Sequence, residues 1–403
     1  MFSLIKNFIA YIHSEKGWIA FAFAVIMCIK TLGFHLIPAD QASYVALIVA
    51  ALMCLRHGLG IDMLSAAFLL FIPFSIILAN PDPVFRPWLR FALFAILYIV
   101  VSPLFRTVWA CKFRAQTLYF TLMCCILISS VSFVCYFWGI NMMRNTYDGS
   151  MLNYLVNTAG TFGGITSQSM LLGPISGVAT IACAYLAMNT DRRFWILATM
   201  CGGSVLFAAS RSSLLATIVG MMVLFFFSSA SVGKNTKNVL LVCTLLLVTN
   251  PLWNGAMKGL TSKNKGSIYS SINTDSRRSK WSLRIEEWEE SPIYGVGFCA
   301  VSKKDRVGSR GMIEPGSSWL AVLSMTGTVG FVLFSLIFYR AARNCLRYRE
   351  PKGALAGGVL VMLGVHMFAE GHVFSGGSYL CFLVWLSLGY ATDYFPESIP
   401  EEE

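Results

Sequence analysis

The chain has 403 residues, of which 56% are apolar and only 13% charged, with 30 Phe and a mean hydropathy of +0.65. That much apolar surface cannot be hidden in one soluble core, so a single membrane domain over 1–403 is expected. A net charge of +11 would suggest nucleic acid in a soluble protein, but the basic residues fall in short segments between apolar ones, and no nucleic-acid partner is read from them.

In chain order, Lys6 and Lys16 lead into a first apolar stretch without a small-residue cleavage pattern, so it is expected to remain as an anchor. A helix needs about 20 apolar residues to cross the hydrocarbon core. Candidate spans fall near 17–36, 41–56, 60–79, 87–105, 116–138, 169–189, 193–209, 212–230, 237–252, 318–340, 353–371 and 376–393. The fold class expected is an all-α polytopic membrane protein with about twelve transmembrane helices. The 12 cysteines are scattered through apolar stretches, as with Cys124, Cys125, Cys183 and Cys243, and act as small apolar fillers. No C-x-x-C occurs, so neither a zinc site nor a disulfide framework is suggested.

Basic residues recur at alternate loops: Arg56; then Arg106, Lys112 and Arg114; then Arg192 and Arg193; then Lys234 and Lys237; then Arg340, Arg343, Arg347, Arg349 and Lys352. The positive-inside rule then puts both termini in the cytoplasm, with 394–403 as a cytoplasmic tail ending in Glu401-Glu402-Glu403. Two long polar segments, 139–168 and 253–317, face outward with the junction at Ser210-Arg211. The first carries Arg144, Asp148 and Gly160-Thr161-Phe162-Gly163-Gly164. The second is the large outer loop, with short helices between spans nine and ten.

Within that loop, 275–298 is a polar island. Read as a helix, Arg277, Trp281, Arg284 and Trp288 fall at steps of four, three and four, which sets two cations and two indoles on one face. Glu286, Glu287, Glu289 and Glu290 lie mostly off it, and Ser291-Pro292 ends the helix. Such a face suits the membrane–water interface, where Trp sits at headgroup depth and Arg forks onto phosphate. It reads equally as an amphipathic helix lying on the bilayer or as a diphosphate clamp that neutralises charge on a leaving group.

Arg211 has the same two readings, a cation snorkelling to the interface or one lining a substrate path. Lys303, Lys304, Arg306 and Arg310 read as a solvated or lipid-contacting patch. Glu314 precedes a Pro-Gly turn into span ten; it is either a turn group or a general base for an attacking hydroxyl. Glu370 and His372, at the outward end of span eleven, are the next candidate bases, while Lys30, His35 and His366 read as packed or interfacial. The histidines are His13, His35, His57, His366 and His372, so the large outer loop contains none.

Four features together resemble the O-antigen ligase and polymerase superfamily, bacterial membrane enzymes that move glycans from undecaprenyl diphosphate. Ser210-Arg211-Ser212-Ser213-Leu214-Leu215 resembles its outward Ser-Arg-small-small-Leu segment. Arg277 and Trp281, followed by Ser291-Pro292-Ile293-Tyr294-Gly295-Val296-Gly297, resemble its Arg, Trp and Pro-Leu-x-Gly-x-Gly pattern. Gly316-Ser317-Ser318-Trp319-Leu320 and Thr326-Gly327-Thr328-Val329-Gly330 are similar to its His-Asn-x-aromatic-Leu and Thr-Gly-x-x-Gly entry to a span. Gly160-Thr161-Phe162 resembles its first-loop glycine motif, and the likeness is strongest over about 155–335.

The resemblance implies a GT-C-like fold in the bacterial inner membrane, with an active site facing the periplasm. It implies an inverting glycosyl transfer without cofactor, nucleotide sugar or metal, in which Arg211 and Arg277 hold the donor diphosphate. Arg284 and Arg144 would assist in binding, Trp281 and Trp288 would bed the loop helix beside the polyprenyl chain, and Glu314, or else Glu370 or His372, would be the base. The partners implied are an undecaprenyl-diphosphate-linked donor, an acceptor that is a lipid-linked repeat unit or a lipid A-core, membrane lipids and other polysaccharide-assembly proteins. Gly316 stands where ligases begin this motif with His, a departure that favours a repeat-unit polymerase over a ligase. A flippase of the same lipid-linked sugars and a membrane scaffold are the rivals. Against a flippase stand the absence of repeat-related halves and the large outer loop, and a scaffold leaves the outward arginines without a task.

Overall fold

In the computed structural model, residues 17–34, 38–58, 60–143, 162–228, 276–302, 316–347 and 349–394 are described, with the backbone alone at 276–278. The helices are α1 Gly17–Ile29, α2 Ala39–Arg56, α3 Met63–Ala79, α4 Pro87–Val101, α5 Val108–Phe137, α6 Ser169–Asn189, α7 Phe194–Phe207, α8 Arg211–Phe227, α9 Ser276–Glu290, α10 Ser318–Arg347, α11 Pro351–Ala369 and α12 Tyr379–Asp393. All except α9 are strongly apolar, as expected of helices surrounded by lipid and by one another. The expected spans match these helices, apart from 237–252, which lies outside the described residues.

By length and composition, six helical segments can cross a membrane: Ala39–Arg56, Pro83–Val101, Val108–Phe137, Ser169–Asn189, Ser318–Arg347 and Pro351–Ala369. Four shorter apolar helices, Gly17–Ile29, Met63–Ala79, Phe194–Phe207 and Arg211–Phe227, accompany them. The chain is thus a polytopic helical membrane protein, but six such segments among the described residues fall short of the twelve expected. Several boundaries also move. The expected span 116–138 is a helix already at Val108, because Thr107 caps it by accepting from the Ala110 N–H at 3.3 Å. The span 87–105 stops at Val101, ahead of Ser102-Pro103.

The bundle is centred on α12, nearly all of whose residues are buried. Trp385 is wholly enclosed by Phe68, Phe94, Tyr98 and Phe334, at ring distances from 4.7 Å to 5.8 Å. Its indole N–H donates to the Val373 carbonyl at 3.0 Å. Around this core, small residues let helices touch. A Cβ on Gly220 of α8 would lie 2.7 Å from the Gly358 carbonyl oxygen of α11, so only glycine permits that approach.

Gly177 of α6 faces Thr217 and Met362, and Gly173 faces Ser210 and Ser213. Thus α8 runs parallel to α6 and antiparallel to α11, which brings Arg211, the first residue of α8, level with the last turn of α11. One end of the bundle therefore gathers the starts of α6, α8 and α10 with the end of α11.

At the opposite end, ion pairs tie the helices together. Arg340 forks onto Asp62 with two hydrogen bonds of 2.7 Å. Arg114, wholly buried, donates from Nε to Asp393 at 2.8 Å and from Nη2 to both Asp393 and the Phe105 carbonyl. A Cβ on Gly389 would press on the Arg114 side chain, so this glycine makes room for the cation. Some of the basic residues that the orientation reading counts are therefore internal fasteners.

Candidate functional site

The loop helix α9 is held by its own charged residues. Arg284 is 2% exposed and donates to Glu287 at 2.7 Å, with Ser324 Oγ at 3.4 Å. Glu287 is fully buried and its other oxygen accepts from the Ser302 N–H at 3.0 Å, while Glu290 accepts from the Ser302 hydroxyl at 2.8 Å. On the same face, Trp281 donates to the Gly316 carbonyl at 3.3 Å and Trp288 to Thr328 Oγ1 at 3.0 Å. The face read as an interfacial stripe is turned toward α10, with partners at 316, 324 and 328 along it. Glu287, grouped with acids off that face, is the counter-charge that allows Arg284 to be buried.

Two glycine motifs dock the next turn. Within α10, Gly327 takes φ 64°, ψ −171° and breaks the helix. The carbonyls freed at Ser324 and Met325 accept from Val296 N–H at 2.9 Å and Gly297 N–H at 3.2 Å, and Thr328 N–H donates to Pro292 at 2.7 Å. Ser75 of α3 adds a hydroxyl bond to the Tyr294 carbonyl at 2.6 Å. A Cβ on Gly295 would lie 2.5 Å from the Met325 carbonyl carbon, and one on Gly327 would collide with the Ile293 carbonyl. The Gly295-x-Gly297 turn and the Thr326-Gly327-x-x-Gly330 segment are thus two halves of one backbone joint, which sequence alone did not connect.

The start of α10 is tied in turn to the end of α11. Ser318 N–H donates to the Glu370 carbonyl at 3.0 Å and its hydroxyl to the same oxygen at 2.7 Å, while that hydroxyl accepts from the His372 N–H at 2.9 Å. Gly316, where the ligase-like pattern has His, adopts φ +69°, and a Cβ there would lie 2.9 Å from the Lys280 Cβ. A side chain at 316 is therefore opposed by backbone conformation and by α9 together.

Beside this junction lies a small pocket walled by Arg90, Cys299, Ala321, Met325 and 371–375. It is a small, partly open hollow whose enclosed space is on the scale of a few water molecules, well below that of a whole-ligand site. His372 is buried there, its ring 5.4 Å from that of His366. Burial, reinforced by His366, pushes the His372 imidazole well below its ordinary value. Burial likewise pushes the Cys299 thiol up to about 12, against the opposing pull of Arg90.

The fold thus brings Glu370, His372 and Trp281 around the start of α10, with Arg284 and Trp288 further along that helix. Arg211 is exposed at the same end, following its N-cap Ser210. Arg277 lies in the first turn of α9, where the backbone alone is described; Arg144 and Glu314 lie outside the described residues. Sequence reading missed Arg90, which resembles any boundary cation at the head of a span.

Comparison with curated proteins finds no match. Residues 194–335 match the family described as O-antigen ligase, a segment that runs from the start of α7 into α10 and includes Arg211, the loop helix and the glycine joint. The match covers that segment of the chain and, with the motifs quoted within it, supports a likeness to the O-antigen ligase and polymerase superfamily.

Proposed function

We propose that the protein is a periplasmic-face glycosyltransferase that polymerises undecaprenyl-diphosphate-linked repeat units of a surface polysaccharide. In the step proposed, a hydroxyl of the acceptor sugar attacks the anomeric carbon of the donor chain with inversion. The bond to the lipid diphosphate breaks and its electron pair leaves with that group. Arg211 and Arg277 hold the diphosphate and neutralise its growing charge, and guanidinium forks suit this task. Arg284, already balanced by Glu287, serves as a positioning residue for the helix that carries Arg277. The proton is taken by Glu314, Glu370 or His372.

The observation that carries this reading is the gathering, at one end of the bundle, of the Arg211 terminus of α8, the docked helix α9 and the Ser318–Glu370 junction, within and beside the family-matched segment. A twelve-span topology in the inner membrane, with both termini cytoplasmic, would give that end to the periplasm, where lipid-linked glycans are assembled. The crowding at Gly316 favours polymerase over ligase, since that position carries no histidine. Transfer to lipid A-core is the second reading, favoured by the matched family's own description.

Deleting the gene and resolving surface polysaccharide on a gel tests this. Core capped by one repeat unit is the expected result. Bare core with long lipid-linked chains would make the protein a ligase, and lipid-linked units stranded on the cytoplasmic side would make it a flippase.

A further inference from the structure

The pocket under the turn between α11 and α12 is not used by the arginines assigned above. His372 lines it at 5% exposure, and both of its ring nitrogens are buried without a hydrogen-bond partner among the described residues. Neutral imidazole offers one donor and one acceptor, so leaving both unmade in the interior is destabilising and marks a place where a ligand completes the set.

The ring is held by its backbone. The His372 N–H is fixed to Ser318 at 2.9 Å, and Ser318 is fixed to Glu370 on the other side. The charge that lines the same pocket is cationic, from Arg90, while Cys299, Ala321, Met325, Val373 and Phe374 supply an apolar wall. A cation and a neutral nitrogen in one small apolar hollow suit the end of a ligand that presents an anion next to a hydroxyl, the rest of the ligand lying outside it.

Resting on the transferase reading, the geometry points to His372 as the general base of the reaction and to Arg90 as a further contact to the donor's phosphate oxygens. The acceptor hydroxyl gives its proton to a ring nitrogen of His372 as its oxygen bonds to the anomeric carbon. The diphosphate leaves with the electron pair of the broken bond, and Arg90 meets the charge it carries. Neither residue lies within the family-matched 194–335, so the proposed base comes from outside that segment. Burial keeps the ring neutral at pH 7, the form that accepts a proton, while weakening it as a base, so the role rests on the ring's placement and its unbonded nitrogens.

The test uses full-length protein in nanodiscs with lipid-linked repeat units extracted from a strain lacking it. His372→Gln should lower the single-turnover rate about 100-fold or more, while affinity for undecaprenyl diphosphate stays within about twofold. A rate within about threefold of wild type, or parallel losses of rate and diphosphate binding, overturns the assignment. If the glutamine variant does not fold, His372→Ala with added imidazole replaces it: recovered rate supports the base, and folded protein without recovery refutes it. Should the wild type itself fail to elongate, the transferase reading fails instead, so the two failures are distinct.

Discussion

Where α2, α4, α10 and α12 finish, largely buried acids are held by cations: Asp62 by the partly exposed Arg340, and Asp393 by the buried Arg114 and the exposed Arg106. At the end where α8 and α10 begin, Lys30–Asp40 and Arg284–Glu287 are matched in the same way. There, however, Arg211 is exposed, Arg90 lines a pocket, and His372 is buried with neither ring nitrogen bonded among the described residues. Removing charges from water is costly, and a helix bundle repays that cost most simply by pairing them, as the first end does. Single atoms of the paired groups at the first end, Arg114 Nη1, Arg340 Nε and Asp393 Oδ1, are also buried without a hydrogen bond, but only at His372 do both polar atoms of one ring lack a partner among the described residues, which is the pattern expected where a ligand supplies it. One end fastens, and the other carries the residues proposed to bind.

Substitutions can break that contrast. The largest expected loss of stability comes from Asp393→Ala, which strands the fully buried Arg114 and should cost about 3 to 5 kcal/mol. Thermal unfolding in detergent would read it, and the protein that remains folded should keep its specific activity. Gly327→Ala is next. It forces a positive φ on alanine and drives a Cβ into the Ile293 carbonyl, with an expected cost of about 1 to 3 kcal/mol. Here the loss should fall on activity more than on unfolding temperature, because the joint that positions α9 opens while the bundle persists. Equal losses in both readouts would show that α9 and the bundle unfold as one unit.

The smallest effect is in pH. At Asp62, burial alone would raise the carboxyl, but hydrogen bonds from Arg340 and Ser65 outweigh it and hold the group below its ordinary 3.8. Its folded value is thus below its unfolded one, so the pair's contribution is complete above the ordinary carboxylate range and is lost as pH falls below it. Melting temperature against pH should drop more steeply on the acid side for wild type than for Asp62→Asn. Parallel curves would mean the pair contributes nothing.

Hydropathy made the apolar helices legible, because a lipid-facing helix declares itself over its whole length. It misplaced the start of α5 because that helix continues past Arg114, whose charge is cancelled by a partner 279 residues away. The steps of four, three and four along α9 revealed a single face but not what covers it. Whether that face meets lipid or α10 depends on the Gly295–Gly327 joint, a contact between distant backbones that no local pattern encodes. Those glycines were legible only as a likeness, and their purpose became visible once the two segments touched. His372 is the opposite case: a histidine at a helix end reads as packed or reactive alike, and only its unbonded nitrogens and its pocket separate the two.

The central claim is that the arginine-bearing end transfers glycan from lipid diphosphate, and elongation in a purified system tests it most directly. Full-length protein in nanodiscs, given undecaprenyl-diphosphate repeat units, should produce a ladder of longer lipid-linked chains, and Arg211→Ala, folded to the same extent, should slow its appearance by about 100- to 1,000-fold. Repeat units left unextended by the wild type, or a ladder made at the wild-type rate by Arg211→Ala, would contradict the account.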